Sequence, residues 1–426
     1  MGARLVNIDR STPLFLPPDI REWVGGDDLA HYILEAVEMT DLRTAALNER
    51  GSGSAQYPPG MMLALLIYSY ATGIFSSRRI EAASFTSVAV RFLCANEHPD
   101  HDTIATFRRE NEPLLKQCFV RVLELARESG LGRLGTVCVD GTKLLANASK
   151  RRTHDAGAVA AQLRLLEAEV AARIQRAGTE DSSQEPDGLT LPKALDNAAK
   201  RREVLQRALA NLEARVPAAA APAPPASEPP PPPPREEPAP ARAPQVNLSD
   251  PDSALMPTRS GPFVQGYNAQ LCVQAEGLGL IVAAQVTNQT NDRQQLAPML
   301  AAIPKELGQP AAVLADSGYD NSAQIAQIEA SGHTTVYCPP TGRIGQPSRS
   351  RPRELLRTQR TQMAARLASA SGALLYRRRQ TAAEHPFSVI KQTLGFGRFR
   401  LRGLGGVNLE WLLLALAYNC RKLASA

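Results

Sequence analysis

From about residue 27 to residue 130 the apolar positions return every three or four residues, which predicts helices. Residues 27–39 make a short amphipathic helix whose acidic start suits the helix dipole. Pro58-Pro59-Gly60 breaks the pattern. Pro59 or Gly60 can open an apolar helix over residues 61–70, which Gly73 ends. Ser76-Ser77 supplies an N-cap for one helix over residues 78–94. After the polar loop 95–102, Thr103 opens a single long helix that ends near Gly130. Within it Leu114, Leu115, Cys118, Val122 and Leu125 form a buried stripe.

At Leu134 the period changes. Residues 134–139 are a short apolar, β-branched run, the mark of a central strand. Residues 267–275 alternate, with Ala269, Leu271 and Val273 on one face and Gln270, Cys272 and Gln274 on the other. Glu276-Gly277-Leu278-Gly279 turns that strand into a second, residues 280–287, forming a hairpin. Asp292, with Gln295 three residues on, has the spacing of a capping box for a helix over 293–303. Strands at 311–315 and 334–338 flank a helix over 321–330, and a helix carrying Glu384 follows. The sequence therefore predicts an α/β domain, a mixed sheet covered by helices, behind an all-α N-terminal domain.

A helical insertion interrupts this order between the first two strands. Val159, Leu163, Leu166 and Val170 step by four, three and four, and Leu205, Leu209, Leu212 and Val216 do the same, predicting an antiparallel helical hairpin. Residues 217–244 hold thirteen of the thirty-three prolines. Such a tract cannot build a core and is expected to be a linker. The expected layout is a helical domain over 1–130, a catalytic domain over 131–150 and 262–402, the hairpin over 151–216, linker and re-entry over 217–261, and a last helix over 403–426.

Charge adds a partner to this picture. Residues 341–402 carry fourteen Lys and Arg against Glu354 and Glu384, a net +12 in a chain of net +6. Charge gathered this way suits a polyanion. In the N-terminal helices Arg78, Arg79, Arg108 and Arg109 could dock on DNA as a helix-turn-helix does. The six cysteines form no CxxC pair and sit mostly in apolar runs, as buried thiols of a reducing cytosol do. The N-terminal residues lack the apolar stretch of a signal peptide, and the run 411–417 is too short to span a membrane.

Three carboxylates carry the candidate chemistry. Asp140 follows Val137-Cys138-Val139 and precedes Gly141-Thr142-Lys143. Asp316 follows the apolar run 311–315 and precedes Ser317-Gly318-Tyr319. Glu384 lies beyond Tyr376-Arg377-Arg378-Arg379. Carboxylates just past the ends of adjacent strands can converge. Two divalent ions about 3.5–4 Å apart need such hard oxygen ligands to hold the attacking and leaving oxygens of an in-line phosphoryl transfer. Gly141 and Gly318 would let the backbone turn away near a phosphate. Lys391, seven residues after Glu384, should share its helix face. Tyr376, Arg379 and Lys391 would then line DNA phosphates, with Arg377, Arg398 and Arg400 nearby.

These motifs resemble those of bacterial insertion-sequence DDE transposases of the 1182-type group, over almost the whole chain. Tyr57-Pro58-Pro59, the run from Tyr68 to Glu81, and Pro99-Asp100-His101-Asp102-Thr103 are similar to that family's helical N-terminal domain. Val139-Asp140-Gly141-Thr142-Lys143, Gly266-Tyr267-Asn268-Ala269-Gln270, Asn291-Asp292, Ala315-Asp316-Ser317-Gly318-Tyr319 and Tyr376-x2-Arg379-x4-Glu384-x6-Lys391 resemble its catalytic domain. The resemblance implies a ribonuclease H-like fold and a metal-binding triad of Asp140, Asp316 and Glu384. It implies two Mg²⁺ ions, with Mn²⁺ as a substitute. It further implies a homo-oligomer in the bacterial cytoplasm acting on double-stranded DNA, at terminal inverted repeats and a target. Cleavage at the element's ends and strand transfer of the 3′-hydroxyl are the implied reactions. An inactive or domesticated DNA-binding protein, or a nuclease of the same fold, are the alternatives. Gln380, Ala382-Ala383, His385 and Ser388 depart from that family's usual residues, and the proline tract is unusual for it.

Overall fold

The computed structural model of the protein describes residues 19–47, 55–180, 190–215, 245–258, 261–341 and 351–426. The chain divides into two compact units, Met1–Gly132 with Leu413–Ala426, and Arg133–Leu412. The proline tract lies outside the described residues, and so does its expected role as a linker.

In its described residues the first unit is helical: α1 (Leu29–Glu38), α2 (Pro59–Ala71), α3 (Ser77–Thr86), α4 (Val88–Leu93), α5 (His101–Glu110) and α6 (Glu112–Glu128). Residues Met62 to Ile67 of α2 are each at most 1% exposed, so this helix is enclosed on all sides. α1 starts where the Asp28 carboxylate accepts the Ala30 N–H at 2.8 Å. α5 starts the same way at Asp100, which accepts from Asp102 and Thr103.

Two expected helices are each broken in two. Ser87 is extended, with φ −98° and ψ 124°, and its hydroxyl caps α4, so residues 78–94 are not one helix. The helix expected from Thr103 to near Gly130 stops at Glu110 and restarts at Glu112. Pro113 sits in the first turn of α6, has no N–H to donate, and would crowd the carbonyl four residues back. The break is held by buried Asn111, whose side chain donates to the Phe107 carbonyl and accepts from Ala46 N–H.

The second unit is built on a sheet that, among the described residues, has six strands. They are β1 (Thr136–Leu145), then β4 (Ala254–Met256), β5 (Val264–Gln274), β6 (Ile281–Thr287), β7 (Ala312–Ala315) and β8 (Thr335–Tyr337). β1 lies at the centre, antiparallel to β5 and parallel to β7, with β8 parallel beyond β7. β6 and β4 follow one another along the other edge of β5. Helices α9 (Leu296–Ala301), α10 (Ser322–Glu329), α11 (Arg351–Ala368) and α12 (Ala370–Ser388) accompany this mixed sheet. Cys138, Leu314 and Ala383 form a core where α12 packs on β1 and β7. The division between units falls within the last helix, α13 (Gly403–Ala424).

The insertion also takes shape. A two-stranded ribbon, β2 (Thr153–Asp155) with β3 (Gln245–Asn247), closes the base of a pair of helices, α7 (Ala156–Glu180) and α8 (Thr190–Arg215). Val159, Leu166, Leu205, Ala208, Leu212 and Val246 form their common core. Buried Asn247 fixes the chain's return by donating to the Ser149 carbonyl at 2.7 Å. Arg207 and Asn211 of α8 both bind the Asp252 carboxylate.

Candidate active site

The central strand does not end at Asp140, as its apolar run suggested. β1 continues to Leu145, whereas β7 stops at Ala315, opposite Val139. Further along the same edge, Leu145 bridges to Arg398, and the Phe399 N–H donates to the Leu145 carbonyl. Between these two contacts, no strand among the described residues pairs with residues 140–144 along this edge, which leaves a gap. Asp140 opens that gap and Asp316 lies just past the end of β7, so the two carboxylates meet where neighbouring strands part.

Each Asp binds a nearby backbone N–H at 2.8 Å, Asp140 that of Gly141 and Asp316 that of Gly318. Burial pushes the Asp140 carboxyl up to about 6; the Gly141 N–H and Arg379 oppose this, and the negative charges of Asp316 and Asp292 add to it. Like charges gathered beside a half-buried carboxylate favour a cation among them.

Gly141 is in the strand and makes no turn. A Cβ there would stand 2.2 Å from the Gln270 side-chain nitrogen and 3.0 Å from Asp292 Oδ1. Its lack of a side chain makes room for a buried polar network on that face of β1. Gln270 and Asn268 of β5 are fully buried and each donates to Asp292 Oδ1 at 2.6 Å. Gln270 also accepts the Tyr319 hydroxyl. Lys143 Nζ is 3.8 Å from Asp292 Oδ1, and burial lowers its pKa against the pull of Asp292.

The other face of β1 meets α12. The Tyr376 hydroxyl donates to the Ala315 carbonyl at 3.1 Å, at the end of β7. Arg379 lies 4.0 Å from the Asp140 carboxylate and over the Tyr376 ring. Lys391 donates to the Thr142 hydroxyl, in the middle of the gap. Tyr376, Arg379 and Lys391 thus flank the two aspartates.

Glu384 does not join them in this conformation. It is exposed and its side chain makes no hydrogen bond or ion pair with the described residues, while the preceding Ala383 is buried in the core. The expectation that Glu384 and Lys391 share a face assumed an unbroken α-helix. Pro386 lies inside α12, and residues Val389–Thr393 form a π turn, which shifts Lys391 inward onto β1. Among the described residues no three His, Cys, Asp or Glu side chains gather closely enough to hold a metal ion. Asp140 and Asp316 still fit a divalent ion by donor chemistry, since Mg²⁺ commonly takes one or two carboxylates and completes its shell with water and substrate phosphate.

The other expected DNA contacts divide. Arg78, Arg79, Arg109, Arg377, Arg398 and Arg400 are exposed. Arg108 is not: it is 4% exposed and donates to the Tyr70 hydroxyl and the Phe75 carbonyl. A guanidinium so enclosed cannot reach a phosphate, and its expected DNA contact is withdrawn. Part of the basic block is also paired within its own unit, Arg360 with Asp320, Arg366 with Glu329 and Arg378 with Glu276.

Asp292, Lys143, Asn268, Gln270 and Tyr319 were not read as site residues from sequence. Asp292 does not cap α9, which begins at Leu296 with no side-chain cap. The signal for the network was Asn268 and Gln270, two polar residues on a strand buried on both faces.

Residues 249–420 match a family described as a transposase DDE domain, and residues 18–110 match a family described as a transposase domain (DUF772). The chain belongs to the DDE transposases that carry this N-terminal domain. The DDE match begins after β1, and the sheet topology is what sets Asp140 beside Asp316. No curated protein and no solved structure matches the chain. Among the described residues no helix is long and apolar enough to cross a membrane, and all six cysteines are buried free thiols.

Proposed function

We propose that this transposase cuts DNA at the ends of a mobile element and joins the freed end to a target, with Asp140 and Asp316 as its catalytic carboxylates. The observation that carries this reading is the convergence of the two aspartates in the gap that β7 leaves along β1. Divalent Mg²⁺, or Mn²⁺ in its place, would be held by Asp140 and Asp316, and when bound supplies Lewis-acid stabilisation of charge on the phosphate.

The chain's own residues do the rest. Arg379 and Lys391, from one face of β1, and Lys143, from the other, place three cationic groups around the gap, suited to a DNA phosphate. Tyr376 ties α12 to the end of β7 and keeps Arg379 beside Asp140. In the first reaction a water oxygen attacks phosphorus and the bond to the 3′ oxygen breaks, leaving a 3′-hydroxyl and a 5′-phosphate. In the second, that 3′-hydroxyl attacks a target phosphodiester and releases a new 3′-hydroxyl. Exposed Arg78, Arg79 and Arg109 serve DNA binding by the N-terminal unit, and Arg377, Arg398 and Arg400 serve it beside the gap. Function as a homo-oligomer on paired DNA ends belongs to the same reading.

One observation favours a second reading. Glu384 stands outside the carboxylate group, as it would in a chain that binds DNA but has lost the chemistry. Incubation with Mg²⁺ and DNA carrying the inverted repeats that flank the gene separates the possibilities. Joined products support transposition, cleavage without joining indicates a nuclease, and binding alone indicates a DNA-binding protein.

A further inference from the structure

Asp292 belongs to none of the roles above, yet its carboxylate is the most firmly held at the gap. It lies between β6 and α9, and its Oδ1 accepts two amide hydrogens at 2.6 Å, from Asn268 and Gln270. Both amides are fully buried on β5. Gln270 in turn accepts the hydroxyl of buried Tyr319, three residues beyond Asp316. A chain of hydrogen bonds therefore runs from Asp292 across β5 to the loop that carries Asp316. Gln270 also donates to Asn268 Oδ1 at 3.0 Å, so the two amides form one network, and breaking its bonds to Asp292 would be costly; this holds the carboxylate in one orientation.

That orientation faces both catalytic aspartates. Oδ1 lies against Gly141, 3.0 Å from where a Cβ would stand, next to Asp140. Oδ2 lies toward Gly318, 3.7 Å from where its Cβ would stand, and Asp316 Oδ1 is 2.9 Å from that same point. Asp292 thus reaches round the edge of β1 from the face opposite α12. Three carboxylates, Asp140, Asp292 and Asp316, surround the gap. The cations that face them within ion-pair distance are Arg379 at 4.0 Å from Asp140 and Lys143 at 3.8 Å from Asp292. Lys391, the third cation at the gap, bonds to the Thr142 hydroxyl. With Arg379 and Lys143 at the outer limit of pairing, the three acids are held beside one another with no close ion pair among the described residues, an arrangement that suits an added cation.

We propose that Asp292 is a positioning residue of the active site: its charge, aimed by Asn268 and Gln270, strengthens divalent-ion binding at Asp140 and Asp316, while Glu384 contributes nothing to that binding before DNA arrives. The proposal rests on the active-site reading given above. It requires no direct bond from Asp292 to the ion, in keeping with the spacing of the three acids. A fixed negative charge beside the ligand pair acts through the field and through Lys143.

The test is Mn²⁺ binding by the full-length, DNA-free protein, read from the loss of the free-ion electron paramagnetic resonance signal. Asp292→Asn keeps an oxygen to accept from Asn268 and Gln270, so a purely structural role would leave affinity unmoved. The expected result is a weakening of about tenfold or more, the scale of groups that support metal ligands. The thermal midpoint of the metal-free variant should stay at the unaltered value. Glu384→Gln should bind Mn²⁺ as the unaltered protein does. The proposal is overturned if Asp292→Asn binds Mn²⁺ normally while Asp316→Asn does not, or if Glu384→Gln weakens binding as much as Asp292→Asn. Normal binding by Asp316→Asn, or none by the unaltered chain, would instead overturn the active-site reading beneath it.

Discussion

Arg108 in the helical unit and Asp140 in the sheet unit are both charged groups withdrawn from water, and their surroundings differ in kind. Arg108 is enclosed and donates to a tyrosine hydroxyl and a backbone carbonyl, joining α5 to α2 and to the segment after it. Asp140 is less enclosed, faces an unpaired strand edge, and has two other acids among its neighbours. The first arrangement binds one guanidinium nitrogen to two neutral partners, leaves the buried Nε without a partner among the described residues, and ties a helical junction together. The second sets acids beside one another with their nearest cations at the limit of pairing, which an external cation can relieve. Burial of a charge is therefore no guide to function here. The balance of charge around it is.

The comparison can be pressed hardest at Gly141. Gly141→Ala puts a Cβ where Gln270 now lies, and displaced site groups commonly cost about 100-fold in rate. DNA cleavage should fall by that order, while end binding in a mobility-shift assay stays near normal. A smaller effect is expected at Arg108. Arg108→Ala leaves the Tyr70 hydroxyl and Phe75 carbonyl without this donor and should cost about 2 kcal/mol of stability. Chemical denaturation should show the loss, with Mn²⁺ affinity unchanged; altered Mn²⁺ affinity would erase the contrast between the two regions.

Next in size comes Arg379→Ala, which removes the cation nearest Asp140. A loss of about tenfold in cleavage is expected, within the range of charge-assisted contacts. The smallest effect should come from the exposed pair on α3. Arg78→Ala with Arg79→Ala should weaken DNA binding by a few-fold and lower the slope of log affinity against log salt by about 1 per lost phosphate contact. An unchanged slope would remove those residues from the interface.

The two aspartates were legible because each follows an apolar run, the signature of a central strand that a one-dimensional pattern shows well. The mixed sheet, the β5–β6 hairpin and the paired helices of the insertion were legible for the same reason. Other features depended on partners distant in sequence. Asp292 has the spacing of a helix cap, and only pairing with Asn268 and Gln270, over twenty residues earlier, gives it another role. The purpose of Gly141 depended on which strand lay opposite it. Arg108 could not be told from its exposed neighbour Arg109 until the packing of α2 and α5 was known. The face expected to be common to Glu384 and Lys391 could not be read from a seven-residue spacing, because a π turn after Pro386 breaks the helical register between them.

The central claim is that Asp140 and Asp316 perform the chemistry and are not needed to hold DNA. The most direct measurement compares single-turnover cleavage and end-DNA affinity for the unaltered protein and Asp140→Asn, in Mg²⁺, on the same DNA. Cleavage lower by about 10²–10³-fold, the scale of losing a principal electrostatic group, is the expected result, with affinity unchanged. Cleavage that persists at the unaltered rate in Asp140→Asn would contradict the account.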